Sequence, residues 1–134
     1  MKLIILAAGS GSRLKNYTVN NHKSLLKLPN NQTILGRIIS QFKKFGVNDI
    51  SIITGHKSYL IKKKFKHLAK INYYKSFKSA NNLHTLLAYK KLLKKQDTII
   101  SFSDLIVSEK IIKKFINKKF STFSVAVYLT KIRN

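Results

Sequence analysis

Apolar residues recur along this chain in two rhythms. Lys2-Leu3-Ile4-Ile5-Leu6 is a nearly continuous apolar run, the pattern of a strand buried on both faces of a parallel sheet. It ends in Ala7-Ala8-Gly9-Ser10-Gly11, where small residues and glycines impose a tight turn. A polar stretch from Lys15 to Lys23 follows. Thr33 suits an N-cap, and Ile34, Leu35, Ile38, Ile39, Phe42 and Phe45 then form one helical stripe that Gly46 closes as a C′ glycine. Asp49 to Thr54 reads as a second strand stopped by Gly55, Tyr59 to Leu68 as a weaker helix, and Ile71 to Tyr74 as a short strand. From Asn82, the positions Leu83, Leu86, Leu87 and Leu93 mark another helix. Thr98 to Phe102 is a strong strand ending at Ser103-Asp104. Ser108 can cap a helix whose inner face is Ile111, Ile112, Phe115 and Ile116, and Thr122 to Leu129 reads as a last strand. The alternation of strands and helices predicts an α/β domain, a mainly parallel sheet flanked by helices.

Composition narrows this picture. The 134 residues fit one domain, and 44% hydrophobic residues with one proline exclude a disordered chain. No cysteine is present, so disulfides and thiolate metal sites are ruled out, as suits a reducing cytoplasm. The opening run is too short to span a bilayer and lacks a signal-peptide pattern, so a soluble, cytoplasmic protein is expected. The net charge is +23, from 27 Lys and Arg against four acids. Such a field attracts polyanions, so nucleic acid, an anionic membrane face and nucleotide phosphates are all conceivable partners. An AT-rich coding sequence would also enrich lysine, asparagine and isoleucine without selection for binding. The paired lysines, from Lys43-Lys44 to Lys118-Lys119, mostly fall opposite the apolar stripes, as solvated helix faces do.

The glycine turn is the candidate phosphate site. After a buried strand, glycines let the backbone approach an anion while successive N–H groups point into the concavity. Two familiar patterns fail. A P-loop needs a second glycine followed by Lys and Ser or Thr, but Leu14 stands five residues after Gly9. The dinucleotide fingerprint needs a third glycine where Leu14 stands, and an acid about 20 residues on, whereas the first acid is Asp49.

The nine residues Leu6-Ala7-Ala8-Gly9-Ser10-Gly11-Ser12-Arg13-Leu14 resemble the signature of the MobA-like NTP transferases, nucleotidyltransferases that activate sugar phosphates, phosphocholine and molybdenum cofactor. His22-Lys23-Ser24-Leu25-Leu26 resembles that group's Pro-Lys-x-Leu segment, with His22 in place of the proline. Asn81-Asn82-Leu83-His84-Thr85-Leu86 is similar to the Asn-Asn-x-x-Ser-Leu segment of phosphocholine-type cytidylyltransferases. Ser103-Asp104 stands where the group carries a metal-binding aspartate.

The resemblance implies a Rossmann-like nucleotidyltransferase fold, an NTP (CTP favoured), Mg²⁺, and a small phosphorylated acceptor such as phosphocholine, a phosphonate or a sugar 1-phosphate. It implies Arg13 and Lys23 as catalytic phosphate contacts and Asp104 as the metal ligand. Leu6, Ala7, Ala8, Gly9, Ser10, Gly11, Ser12, Asn82 and Thr85 become the nucleotide-binding residues. It also implies that residues 1–134 form the first part of a longer domain, whose later half supplies a second carboxylate and most of the acceptor pocket. Position supports Asp104 independently. Asp49 and Asp97 sit at strand starts and Glu109 in a first helical turn, while Asp104 alone stands at the carboxyl end of a strand, where sheet ligands bind. The four histidines, His22, His56, His67 and His84, show no ligand spacing. Two other readings remain open: a nucleotide-binding remnant without turnover, and a lysine-rich module for polyanions, which the lack of aromatics among the lysine clusters disfavours for nucleic acid.

Overall fold

The computed structural model describes residues 1–93 and 96–117. Its centre is a four-stranded sheet, β1 (Lys2–Ala7), β2 (Asp49–Thr54), β3 (Lys70–Tyr73) and β4 (Thr98–Phe102), in the order β3-β2-β1-β4. Every pairing is parallel, with Leu6 opposite both Ile53 and Phe102. The apolar run of β1 is explained by burial on two sides. Leu3, Ile5 and Ala7 join one core with Leu35, Ile38 and Phe42 of α1 (Ile34–Lys44), Ile61 and Phe65 of α2 (Ser58–Phe65), and Ile112 of α4 (Glu109–Asn117). Ile4, Leu6 and Ile53 face the other way, toward Leu86 of α3 (Asn82–Ala88) and toward Tyr89, Leu92 and Leu93.

The punctuation residues act as the sequence implies. Thr33 Oγ1 accepts from the Gly36 N–H at 3.1 Å, capping α1. Gly46 adopts φ +82 and its N–H returns to the Lys43 carbonyl at 2.9 Å. Ser108 Oγ accepts from the Ile111 N–H at 3.4 Å, a long cap for α4. Lys62 to Lys64, Lys90, Lys91, Lys113 and Lys114 are exposed, as expected of solvated faces.

Several boundaries differ from the expectation; the short strand runs Lys70–Tyr73 in place of Ile71 to Tyr74. The helix starting at Tyr59 begins one residue earlier and ends at Phe65. There the Leu68 and Ala69 N–H groups both return to the Phe65 carbonyl and turn the chain into β3. The helix from Asn82 stops at Ala88 instead of reaching Leu93. Tyr89 anchors its hydroxyl on the Tyr73 carbonyl at 2.7 Å, and a 3₁₀ turn, Lys90–Leu93, continues the chain. The polar stretch after the glycine turn is a 3₁₀ segment, Ser12–Thr18, broken at Lys15 (φ 38, ψ −113). The expected strand Thr122–Leu129 and the lysines Lys94-Lys95 and Lys118-Lys119 lie outside the described residues.

Candidate functional site

In a parallel sheet the loops leaving the carboxyl ends form a crevice, and here three of them are fastened together. The Ser103 N–H donates to the Leu6 carbonyl at 3.1 Å, and the His56 N–H to the Ala8 carbonyl at 3.0 Å. The loops after β4, β1 and β2 are thereby set side by side. Gly55 makes the last approach possible: a Cβ there would lie 2.7 Å from the Ala8 carbonyl oxygen and 2.4 Å from Phe77 Cβ.

The glycine turn begins where β1 leaves the sheet. Leu6, Ala7 and Ala8 bury their side chains, so they can offer a ligand only main-chain groups. Gly9, Ser10, Ser12 and Arg13 are exposed. The N–H groups of Gly9, Ser10 and Gly11 donate to no protein acceptor among the described residues, leaving adjacent donors free for an anion. Gly11 has φ +70, and a Cβ on it would stand 3.1 Å from Lys23 Cβ and 3.3 Å from Thr18 Cγ2. The missing side chain therefore serves two ends: it permits the left-handed turn and lets the loop close onto the stem of Lys23.

Lys23 and Asp104, 81 residues apart, meet at this point, with Nζ 2.7 Å from Oδ2. The Arg13 side chain makes neither a hydrogen bond nor an ion pair among the described residues, so its planar fork of donors is free. A cavity of about 310 Å³ adjoins it, lined by Arg13 to Tyr17. A larger one, about 440 Å³, lies at the opposite, amino end of the strands near Asn48, His67 and Lys70. It has no glycine turn beside it, so its size does not make it the reactive centre.

His22 lies wholly buried beneath the turn. The Ser24 N–H donates to its Nδ1 at 3.2 Å, with Ser24 Oγ at 2.8 Å, which assigns the ring proton of the neutral form to Nε2. That Nε2 faces the Ala7 and Gly9 carbonyls without reaching bonding geometry with either. Burial, and secondarily the charges of Lys23 and His56, push the His22 pKa down to about 4. The ring is thus a neutral spacer between the glycine turn and the segment that presents Lys23.

The second group of expected residues is not drawn into this cluster. Asn81 caps α3 by accepting from the His84 N–H at 2.9 Å, while Asn82 is exposed in the first turn. Thr85 is buried, and its hydroxyl donates back to the Asn81 carbonyl at 2.9 Å. Neither Asn82 nor Thr85 bonds the glycine turn or Lys23 among the described residues. One residue went unread in the sequence. Lys57, in a left-handed conformation (φ 47), donates its ammonium to the carbonyls of Thr18 at 2.6 Å, Val19, and Asn21 at 3.4 Å. It holds the segment joining the turn to His22-Lys23. The only sequence sign was its place just past a strand-ending glycine, which does not separate it from the other lysines.

The family model described as Nucleotidyl transferase matches residues 2–134. The chain is 33% identical over 129 residues to a CTP:phosphoglutamine cytidylyltransferase of Campylobacter jejuni, covering 89% of this chain and 49% of that protein. It is 35% identical over 98 residues to a choline-phosphate cytidylyltransferase of Streptococcus pneumoniae, covering 69% of this chain and 41% of that protein. Among solved structures, a CTP:phosphocholine cytidylyltransferase from Streptococcus pneumoniae superposes with TM-score 0.65 at 29% identity, covering 77% of this chain and 44% of the other. The chain spans about half the length of the curated relatives it matches.

Proposed function

The chain belongs to the nucleotidyl transferase family, and from that premise we propose that it carries the nucleotide site of an enzyme transferring CMP from CTP to a small phosphorylated acceptor. The acceptor class is phosphocholine, a phosphonate or a sugar 1-phosphate. The observation that carries this reading is the meeting of the free amides of Gly9 to Gly11, the Lys23 ammonium and the Asp104 carboxylate at one end of β1 and β4.

In the proposed reaction an acceptor phosphate oxygen attacks the α-phosphorus of the NTP. A new P–O bond forms there as the bond to the bridging oxygen breaks, and pyrophosphate leaves. Such transfers need alignment and charge neutralisation more than covalent help from the protein. The amides of Gly9 to Ser12 hold the triphosphate. Arg13 offers its fork to the phosphates that depart, and Lys23 sets a point charge near the α-phosphate.

Asp104 would hold Mg²⁺. Its carboxylate is half-exposed and has one partner among the described residues, which fits an ion that takes one or two carboxylates and completes its shell with phosphate oxygens and water. When bound, the ion supplies charge neutralisation and geometry to the phosphates. Among the described residues no cluster of three or more His, Asp or Glu exists, so Asp104 would act as a single protein ligand within this part of the domain. No helix among the described residues is long and apolar enough to cross a membrane.

The test is release of pyrophosphate from each of the four NTPs, with Mg²⁺ and each acceptor class, by the 134-residue chain. CTP is expected to give the highest rate and the largest rise in melting temperature. Activity that survives in both Arg13→Ala and Asp104→Ala would discard the assigned site. Binding of Mg-CTP without turnover on any acceptor would reduce the reading to a nucleotide site.

A further inference from the structure

We propose that Lys23 and Asp104 form an exclusive pair that makes the divalent cation and the nucleotide bind as one unit. This rests on the nucleotidyl-transfer reading above and adds the order in which ligands can be held. Each member of the pair has two possible partners of the same sign. The Lys23 ammonium can neutralise the Asp104 carboxylate or a nucleotide phosphate, and the carboxylate can hold the ammonium or a metal ion. In the structure they hold each other at 2.7 Å, and neither has another hydrogen-bonding partner among the described residues.

The surroundings allow an exchange by motion of one side-chain end. The stem of Lys23 is pinned where Gly11 closes upon it, with the site of a Gly11 Cβ 3.1 Å from Lys23 Cβ and 3.4 Å from Cδ. The ammonium beyond is a compact charge with three rotatable donors, so it can leave Asp104 and face the amides of the turn without backbone change. The Gly11 contact sets the Lys23 stem against the turn that carries those amides. A nucleotide seated there draws Lys23 away and frees Asp104, while its own negative charge replaces the lost cation.

The charge of the chain points the same way. At +23, the protein repels a bare dication. Asp49 and Glu109 are likewise committed, to Lys2 and Lys44. A metal arriving alone must displace Lys23 in this field unaided, whereas a metal arriving with a polyphosphate brings the anion that draws Lys23 off. The coupling is reciprocal: nucleotide must raise metal affinity by the factor that metal raises nucleotide affinity.

The experiment titrates Mn²⁺ into the full 134-residue chain, reading free Mn²⁺ by electron paramagnetic resonance. It is done alone and with a CTP analogue bearing a methylene in place of the α,β-bridging oxygen. Without nucleotide, Lys23→Met is expected to bind Mn²⁺ about fivefold more tightly than wild type, the scale of an exposed ion pair. Lys23→Arg keeps the pair and stays near wild type, and Asp104→Asn removes the gain. With the analogue, wild-type Mn²⁺ affinity rises about tenfold, a typical coupling, and that of Lys23→Met rises less. A pair serving only to fasten two loops would change melting temperature and leave Mn²⁺ affinity alone. Equal Mn²⁺ affinity of wild type and Lys23→Met overturns the exclusive pair while the nucleotide site stands. If Asp104→Asn binds Mn²⁺ with the analogue as wild type does, Asp104 holds no metal, and the reading and the pair fall together. Lys23→Gln repeats the comparison should Lys23→Met lose its fold.

Discussion

Both ends of the sheet carry a lysine–aspartate pair, and the two are built differently. At the amino ends Lys2 Nζ lies 3.4 Å from Asp49 Oδ2, and Gln96 Nε2 donates to that same oxygen at 2.8 Å. The two residues face each other in the β1–β2 register, and the Lys2 N–H reaches the Asp97 carbonyl at 2.8 Å. At the carboxyl ends Lys23 and Asp104 come from separate segments; among the described residues their charged groups hold only each other, beside amides that no protein acceptor uses. The residue types are the same, so the neighbouring backbone decides the role. Where strand pairing consumes the donors, the ion pair fastens strand starts. Where the chain turns out of the sheet, donors remain for a ligand.

The largest expected effect separates the two aspartates by activity. Asp104→Ala should lower pyrophosphate release by about 100-fold or more, the scale of losing one charge-stabilising contact in a transition state. Asp49→Ala should leave the rate within about twofold, since that end makes no contact with the reacting groups. Comparable losses in both variants would erase the distinction drawn between the ends.

A second effect belongs to the carboxyl end alone. His22 is neutral and buried, with its pKa pushed from 6.5 to about 4. As pH falls below 6.5 the unfolded chain takes up a proton that the folded chain refuses until about 4, so stability is full above 6.5 and declines between the two values. The drop amounts to about 3 kcal/mol. Urea midpoints at pH 7.5, 5.5 and 4.5 should show it in wild type. His22→Pro should flatten the curve, leaving the smaller slope of the same sign that His56 contributes through its own burial and the nearby Lys57 and Lys78. A wild-type curve as flat as that of the variant would remove the buried neutral ring from the account.

Much of this was legible in the chain. The apolar run of β1 could be read because burial on both faces leaves no polar alternation, and Asp104 because a strand's carboxyl end is a position that sequence order reveals. Lys23 was recognisable only through its segment. What stayed hidden depends on contacts across long separations. The Lys23–Asp104 pair spans 81 residues. The Asn81-Asn82 pair looks symmetric in sequence, yet only the residue preceding the first helical position can cap, and that is Asn81. Thr85 is expected to contact the nucleotide, and its hydroxyl also bonds back to the preceding turn, a use open to any helical threonine. Lys57 gains its role from three carbonyls brought to it by the fold.

The glycine turn offers an intermediate effect. Gly11→Ala places a Cβ 3.1 Å from Lys23 Cβ at φ +70, combining a left-handed penalty with a close contact. A loss of about 1–2 kcal/mol in stability is expected. Weaker binding of Mg-CTP should accompany it, because relief of the contact moves the amides or Lys23. Gly46→Ala, also at positive φ (+82) but with nothing within 4 Å, should lose stability without loss of nucleotide affinity. Identical behaviour of the two variants would deny the Gly11 contact any part in the site.

The smallest effect tests the amino end itself. Lys2→Met keeps the aliphatic stem and removes the charge, leaving Asp49 with its bond from Gln96. Asp49 is about one-third exposed, so solvent screens the pair and its removal should cost under about 1 kcal/mol. The strand itself should hold, because β1 is fixed by its ladder to β2 and β4 and by the full burial of Leu3, Ile4 and Ile5. Thermal unfolding would register a drop of a few degrees that shrinks in high salt, with pyrophosphate release and Mg-CTP affinity unchanged. A loss of nucleotide affinity in Lys2→Met would mean that the charge at the amino end is felt across the sheet. The two ends could then no longer be treated as separate regions, and the +23 field, more than the local contacts of Lys23 and Asp104, would govern how the nucleotide is held.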